Sequence, residues 1–558
     1  MKFSSQSPST FIPHSSSFKR VAVGSLAAFC VCLALCVVGT PDVAYADEKA
    51  RSRAERALRE GDFQLAEKLF REILAKDGRD HDARLSLSYA LLKQRNLQDA
   101  FDHAARVVAV EPLSARAHAL LGMVVLSAGD FRLSVEEFRT ALSIKDNEPV
   151  AVAGLAMVDF YENRLNECMV GLRRAMFLDP KEPDYVYSFA VAASRNERYK
   201  EAANAYERFL EIAPRTDEER RARINGLIRF LRYLGGKRSL YEPDGASRVA
   251  ISFDAPDDRP IIQVRINGRE EPLRFVIDTG SGMSVISDET AKRLGLDVVA
   301  RGGQARAVGG GGRFEIVYGF LDSVEIGEAR VRNVPVYIRK FYDEKYPADG
   351  YIGLSVLTKF LTTIDYGSRT FTLNRERIRD HRYLDQWRSI YRASNTRAVP
   401  NESLAGIPLR STASGFLSSE VFVNQTERPF NFIVDTGASI SVIAEKVMTD
   451  DDITRFKQNV KMRIYGAAGV AEGVKMLVLP RVVVGQHTRE RIAVAVLDLD
   501  PINETTGFIQ SGILGGNFLR HFRVTFDFQN SVVLFEPLRP TKSPSELPKS
   551  GNAGTIQP

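Results

Sequence analysis

Cysteine is scarce in this chain and unevenly placed: of four in 558 residues, Cys30, Cys32 and Cys36 crowd into one apolar stretch near the N-terminus. Cys168 stands alone beyond it, so the rest of the chain can form no internal disulfide and must hold its fold by packing. Tryptophan occurs once, at Trp387. The histidines His81, His103 and His118 lack metal-ligand spacing, and no zinc pair, Walker A loop or Gly-x-Ser-x-Gly elbow is present. GSGMS at 280–284 has neither the central Ser nor the closing Gly of that elbow. No metal and no cofactor is therefore expected. Strong charge is missing too: a formal +6 gives no support for a nucleic-acid partner. What remains is ordinary globular material, 44% hydrophobic and 26% charged, long enough for three or four domains.

The apolar stretch, VAVGSLAAFCVCLALCVVG, follows the basic pair Lys19 and Arg20 and precedes AYAD at 44–47. A basic start, an apolar run and a small-residue site predict a secretory signal over residues 1–46, cleaved after Ala46, with a periplasmic or secreted product beginning at Asp47. The alternative is an uncleaved membrane anchor, since Val21 to Val38 spans 18 residues. Membrane contact is expected only in that case.

The first half of the chain repeats. Phe63, Leu97, Phe131, Leu165 and Tyr199 lie 34 residues apart, and so do the small residues Ala66, Ala100, Ser134, Cys168 and Ala202. A second small-residue series, Ala54, Ser88, Gly122, Ala156 and Ala190, has the same step. Units of 34 residues with two helical patterns and small residues at the crossings resemble the tetratricopeptide repeat family, although the family's Trp is absent. The resemblance implies five all-α units forming a superhelix over residues 47–234, closed by a polar capping helix at 216–234. Such a superhelix offers a groove to a protein partner, or serves as a spacer. Within the register Cys168 is a packed small residue, and the three histidines are surface or groove residues.

After a Gly/Pro-containing linker at 235–247 the period changes to that of strands. Ile262, Val264 and Ile266 alternate, Asn267-Gly268 signals a tight turn, and Leu273, Phe275 and Ile277 alternate up to Asp278. An acid ending a buried strand is costly unless its charge is paired or used. The same arrangement recurs 157 residues later: Phe275, Asp278, Thr279, Gly280 and Ser284 become Phe432, Asp435, Thr436, Gly437 and Ser441. Each Asp-Thr-Gly is followed by an apolar-apolar-Gly, Tyr351-Ile352-Gly353 and Ile513-Leu514-Gly515.

FVIDTGSG and FIVDTGAS with these partners resemble the aspartic peptidases, more the compact retropepsin kind than the pepsin kind. The resemblance implies two all-β lobes, at 248–374 and 405–539, forming a pseudo-dimer within one chain. It implies Asp278 and Asp435 as catalytic residues sharing one proton, supported by Thr279, Gly280 and Ser281 on one side and Thr436, Gly437 and Ala438 on the other. Thr279 and Thr436 are expected to cross-link the loops, and the glycines to let them turn tightly. Ser281 opposite Ala438 breaks the symmetry, because only the hydroxyl can bond its acid. Flaps are expected at AVGGGGRF, with Gly309, Gly310, Gly311 and Gly312, and at YGAAG, with Gly466 and Gly469.

Asp365 and Asp527 are also paired by the duplication, on late strands where a turn role fits better. A basic, helical-textured connector at 375–404 and a Pro/Ser/Lys-rich tail at 540–558 complete the chain. The function expected is an aspartic endopeptidase acting on a protein or peptide substrate, with the repeats recruiting substrate or partner. The alternative is a catalytically silent peptide-binding scaffold, and a further one pairs lobes between chains.

Overall fold

The computed structural model of the protein describes residues 41–237, 239–308, 312–375, 406–449 and 451–538. The apolar stretch around Cys30, the connector with Trp387, Gly309, Gly310 and Gly311, and the C-terminal tail lie outside the described residues. Among the described residues no helix is long and apolar enough to cross a membrane.

Five helix pairs open the chain: α1 (Pro41–Arg59) with α2 (Phe63–Lys76), α3 (His81–Lys93) with α4 (Leu97–Val110), α5 (Ala115–Ala128) with α6 (Phe131–Ile144), α7 (Pro149–Tyr161) with α8 (Leu165–Leu178), and α9 (Pro183–Arg195) with α10 (Tyr199–Ile212). The expected cleavage point at Ala46 falls within α1. Each residue of the series Phe63 to Tyr199 opens the second helix of its pair, because the local chemistry starts a helix there. Asp62 and Asp130 accept from the backbone N–H groups of Leu65 and Leu133 at 3.0 Å, capping otherwise orphaned donors. Pro149 and Pro183 sit in first turns, where no N–H is needed. Ala66, Ala100, Ser134, Cys168 and Ala202 are all fully buried at helix crossings. Burial pushes the Cys168 thiol up to about 12, which keeps it protonated and inert.

Two expectations are corrected. His118 is a buried residue, not a surface one: Nδ1 meets Glu137 at 2.6 Å and Nε2 meets the Pro112 carbonyl at 3.0 Å. The capping helix, α11 (Glu218–Gly235), packs Ile224, Ile228 and Leu231 into the repeat core but does not face solvent alone. It lies against the strand Ala300–Arg306 so closely that a Cβ at Gly226 would come within 2.2 Å of the Arg301 carbonyl. Arg229 donates to that carbonyl at 2.8 Å, and Phe230 stacks on Tyr318 with centroids 4.2 Å apart. Its basic face, legible as solvent-seeking, meets the neighbouring lobe instead.

Each lobe is built on an eight-stranded sheet. In the first, Leu273–Ile277 pairs antiparallel with Ile261–Ile266 and parallel with Gly350–Ile352. In the second, Phe430–Val434 pairs antiparallel with Leu417–Val423 and parallel with Gly512–Leu514. The tight turn forms as expected, with Asn267 and Gly268 both at positive φ, +54° and +69°. The expected linker is partly sheet instead. Glu242–Gly245 is an edge strand on Ala329–Arg339, and Leu240 and Tyr241 are buried beside it.

A six-stranded sheet joins the lobes through the antiparallel pair Leu361–Asp365 and Phe522–Asp527. Thr363 and Thr525 face each other there with hydroxyls 2.9 Å apart, near the pseudo-twofold axis. Asp365 and Asp527 cap turns, accepting from the backbone N–H groups of Gly367 and Ser368 and of Asn530 respectively.

The repeats also grip the second lobe. Phe508 is fully buried among repeat residues, edge-on to Phe131 at 5.0 Å and Tyr161 at 5.1 Å, and the N–H of Ile509 donates to the Ser127 carbonyl at 2.9 Å. The half-buried Arg195 reaches Ser411 and, at 3.1 Å, the Thr412 carbonyl. Phe508→Ala is expected to lower stability by about 3–5 kcal/mol, read from urea unfolding, because the cavity opens between two rigid bodies that cannot close it.

Candidate active site

The site is assembled where each Asp-Thr-Gly leaves its strand. The N–H of Asp278 donates to the Ile352 carbonyl and that of Asp435 to the Leu514 carbonyl, both at 3.0 Å. These bonds extend the parallel pairing by one residue and fix where each acid emerges. Below them the glycine of each apolar-apolar-Gly threads under the loop. A Cβ at Gly353 would lie 2.7 Å from the Met283 carbonyl, and one at Gly515 2.7 Å from that of Ile440. The hydroxyls of Ser284 and Ser441 accept from the N–H groups of Gly353 and Gly515 at 3.0 Å. That support was visible in the sequence only as a pair of serines in register.

The two loops lock reciprocally across the lobe boundary. Thr279 Oγ1 donates to the Val434 carbonyl at 2.7 Å and accepts from the Thr436 N–H at 3.1 Å. Thr436 Oγ1 donates to the Ile277 carbonyl at 2.6 Å and accepts from the Thr279 N–H at 3.1 Å. Both threonines are fully buried, so every donor and acceptor in the lock is satisfied without water.

The lock brings the carboxyls of Asp278 and Asp435 side by side, each against the glycine of the other's loop. Glycine follows each threonine for space, not for turn geometry. A Cβ at Gly280 would stand 2.3–2.5 Å from the Asp435 carboxyl atoms, and one at Gly437 2.5 Å from Asp278 Oδ1. Neither glycine has the positive φ that a tight left-handed turn would need.

The acids are not equivalent. Asp278 accepts from the Gly280 N–H at 2.9 Å and from Ser281 Oγ at 2.6 Å. Asp435 accepts from the N–H groups of Gly437 at 2.8 Å and Ala438 at 3.2 Å, with no hydroxyl. Burial raises the proton affinity of Asp278 above the usual carboxylate range, and the Ser281 bond opposes it. Burial followed by the neighbouring charge of Asp278 drives Asp435 well above that range. Two adjacent carboxyls cannot both ionise comfortably, which favours keeping one proton on the pair.

The pair forms part of the wall of a cavity of about 1660 Å³. Hairpins overhang it from both lobes: Ala300–Arg306 with Arg313–Ile326, and Lys457–Gly466 with Gly469–Val484. Gly312 borders the first hairpin's second strand, and Gly466 pairs with Gly469 at the second tip. The repeats supply part of the wall through Tyr187, Arg195, Arg220 and Arg223, a contribution that no motif in the chain announces. Among the described residues no cluster of three His, Cys, Asp or Glu suited to a metal ion forms.

Residues 262–356 and 420–518 each match the family model described as "Aspartyl protease", and residues 57–124 match one described as "Tetratricopeptide repeat". Helical repeats that match the tetratricopeptide model are thus followed by two tandem β lobes that each match the aspartyl-protease model. Among solved structures, TTC0263, a thermophilic TPR protein of Thermus thermophilus, is 18% identical, with 33% of this chain and 98% of that one covered and a TM-score of 0.29. MamA of Desulfovibrio magneticus RS-1 is 20% identical over 30% of this chain and 94% of its own, with a TM-score of 0.22. PilF of Pseudomonas aeruginosa is 14% identical over 34% and 88%, with a TM-score of 0.26. No curated protein matches the chain.

Because folding raises the proton affinity of Asp435, the native state holds a proton that the unfolded chain releases. The stability this gives is present below the ordinary carboxylate range and lost as pH rises through the raised native pKa. Asp435→Asn removes that loss. The variant is expected to resist urea better than wild type at neutral pH, with the gap closing as pH falls toward about 4.

Proposed function

We propose that the protein is an aspartic endopeptidase in which Asp278 and Asp435 activate a water against a peptide carbonyl. One observation carries this reading: two carboxyls encoded 157 residues apart, one buried and one half-buried, lie side by side at a cavity wall, each against the glycine of the other's loop. Holding two acids together out of water is unfavourable, and a site that only bound peptides would gain nothing from it. The chemistry needs just this arrangement. Ionised Asp278 takes a proton from water as oxygen attacks the carbonyl carbon, while protonated Asp435 donates to the carbonyl oxygen. The proton gained by Asp278 then passes to the leaving nitrogen, and the C–N bond breaks.

The repeats serve the same cleft. Their contribution places Tyr187 and Arg220 on the wall of the same cavity as the acids, which suits recruitment of an extended protein segment. A partner lying along the inner face of the superhelix is less well supported. Lys93 there pairs with Asp184, and Tyr89 donates to Glu182 at 3.3 Å, bridging units far apart in sequence. Export belongs to the proposal as well, on the strength of Lys19, Arg20, the apolar run and Ala46.

Asp278→Asn and Asp435→Asn, made separately, are each expected to lower peptide-library cleavage at least about 100-fold while circular dichroism stays native. A folded wild-type protein that cleaves no peptide would leave the binding-scaffold reading in its place. Ser281→Ala removes the hydroxyl that favours ionised Asp278. The acid limb of its kcat/KM profile is expected to move to higher pH, because Asp278 then loses its charge sooner as pH falls.

A further inference from the structure

The pseudo-symmetry of the lobes makes differences between equivalent positions informative. Val285–Ser287 pairs parallel with the end of Ala329–Arg339, and Ser441–Ala444 pairs parallel with the end of His487–Leu497. Ser287 aligns with Arg339 and Ala444 with Leu497, so Arg339 and Leu497 occupy the same place in the two lobes. Both line the cavity that holds the carboxyl pair. One wall therefore carries a cation where the other carries an aliphatic side chain.

Arg339 is one of four arginines of the described residues with a shielded nitrogen that meets no acceptor. Its Nε is shielded from solvent and meets no hydrogen-bond acceptor, and its guanidinium forms no ion pair with a described carboxylate. Two carboxylates of the same cavity wall are already engaged: Asp257 and Asp343 both pair with Arg259 at 2.6 Å. The rings of Phe341 and Tyr351 lie 5.7 and 5.9 Å from its guanidinium carbon, holding the cation in place. Its positive charge is felt at Asp278, which puts it near the reacting atoms without bonding them. An arginine held this way has its planar donor fork uncommitted. Leu497 packs on an apolar cluster that Ala438, Ile440, Phe416 and Ile464 also join, with Val308 from the first lobe.

We propose that Arg339 is a specificity-determining residue that receives a substrate carboxylate on the first lobe's side of the carboxyl pair, while the equivalent pocket around Leu497 receives an apolar side chain. The inference rests on the peptidase reading and names its substrate class: chains with an acidic group on one side of the scissile bond and an aliphatic group on the other. A carboxylate placed against the guanidinium satisfies the shielded Nε and forms two parallel charge-assisted bonds. An amide of the same shape offers one acceptor atom and no charge. The carboxylate can come from an Asp or Glu side chain or from the end of a peptide.

The test is cleavage-site profiling of the protein on peptides matched as Glu/Gln and Asp/Asn pairs at each position around the bond, with free and amidated C-termini. Enrichment of acids on one side only is expected, and Arg339→Leu is expected to lower the Glu-to-Gln ratio of kcat/KM about 10- to 100-fold, mostly through KM. Arg339→Lys should recover part of the ratio, and Leu497→Arg should create an acidic preference on the other side. A preference that follows the free C-terminus supports the inference with a terminal carboxylate as the ligand. Equal rates on Glu and Gln peptides in wild type overturn it. So does a uniform loss in Arg339→Leu with a shifted pH profile, which would make Arg339 only a charged neighbour of Asp278. If wild type cleaves nothing, the peptidase reading fails separately, and fluorescence titration of the same peptide pairs still decides whether Arg339 selects a carboxylate.

Discussion

Everything in the site hangs on two threonine hydroxyls. Thr279 and Thr436 each donate across the lobe boundary and each accept from it, in a place that water does not reach. Four buried bonds that are all satisfied hold one spacing and no other, because breaking any of them leaves a polar atom orphaned. The carboxyl pair inherits that spacing. Without the lock, repulsion and the pull of water would separate two acids of which one bears a charge. The six-stranded sheet, with Thr363 against Thr525 on the same axis, braces the lock from a distance.

On this symmetric frame the chemistry is asymmetric by small means. Ser281 against Ala438 decides where the charge rests, since a hydroxyl stabilises only the acid it reaches. Arg339 against Leu497 gives the two walls different polarity at equivalent positions. A duplicated fold can diverge this way because the backbone bonds that hold the loops are indifferent to these side chains. All four line the cavity, and none belongs to the lock.

The repeats are joined to both lobes. Phe508 sits in their core, α11 lies against the first lobe with Gly226 at its closest approach, and the half-buried Arg195 bonds the second. Contacts on both lobes make the superhelix a brace as well as a wall of the cleft. The first lobe's overhanging hairpin is held by α11 through Arg223 and Arg229, whereas the second hairpin exposes Val460, Met462 and Tyr465. The hairpins are thus alike in strand pairing and unlike in support.

Much of this was legible from the residues alone. Periods of 34 and 157 marked out the units, because each unit must repeat the side chains that fill its crossings and its strand ends. Asp-Thr-Gly with a later apolar-apolar-Gly was legible because both segments are local and their roles need particular residues. Three things were not. The linker's Glu242–Gly245 joins a sheet through backbone bonds that carry no side-chain signature. The basic face of α11 looks like any solvated face until a partner covers it, and Arg339 has no counterpart in the second copy to mark it. Residue order was enough to say which elements form and which acids are paired by duplication. That the acids lie side by side, that burial raises their hold on a proton, and what else faces them became readable only in the folded chain, since those depend on distances between segments that no local pattern encodes.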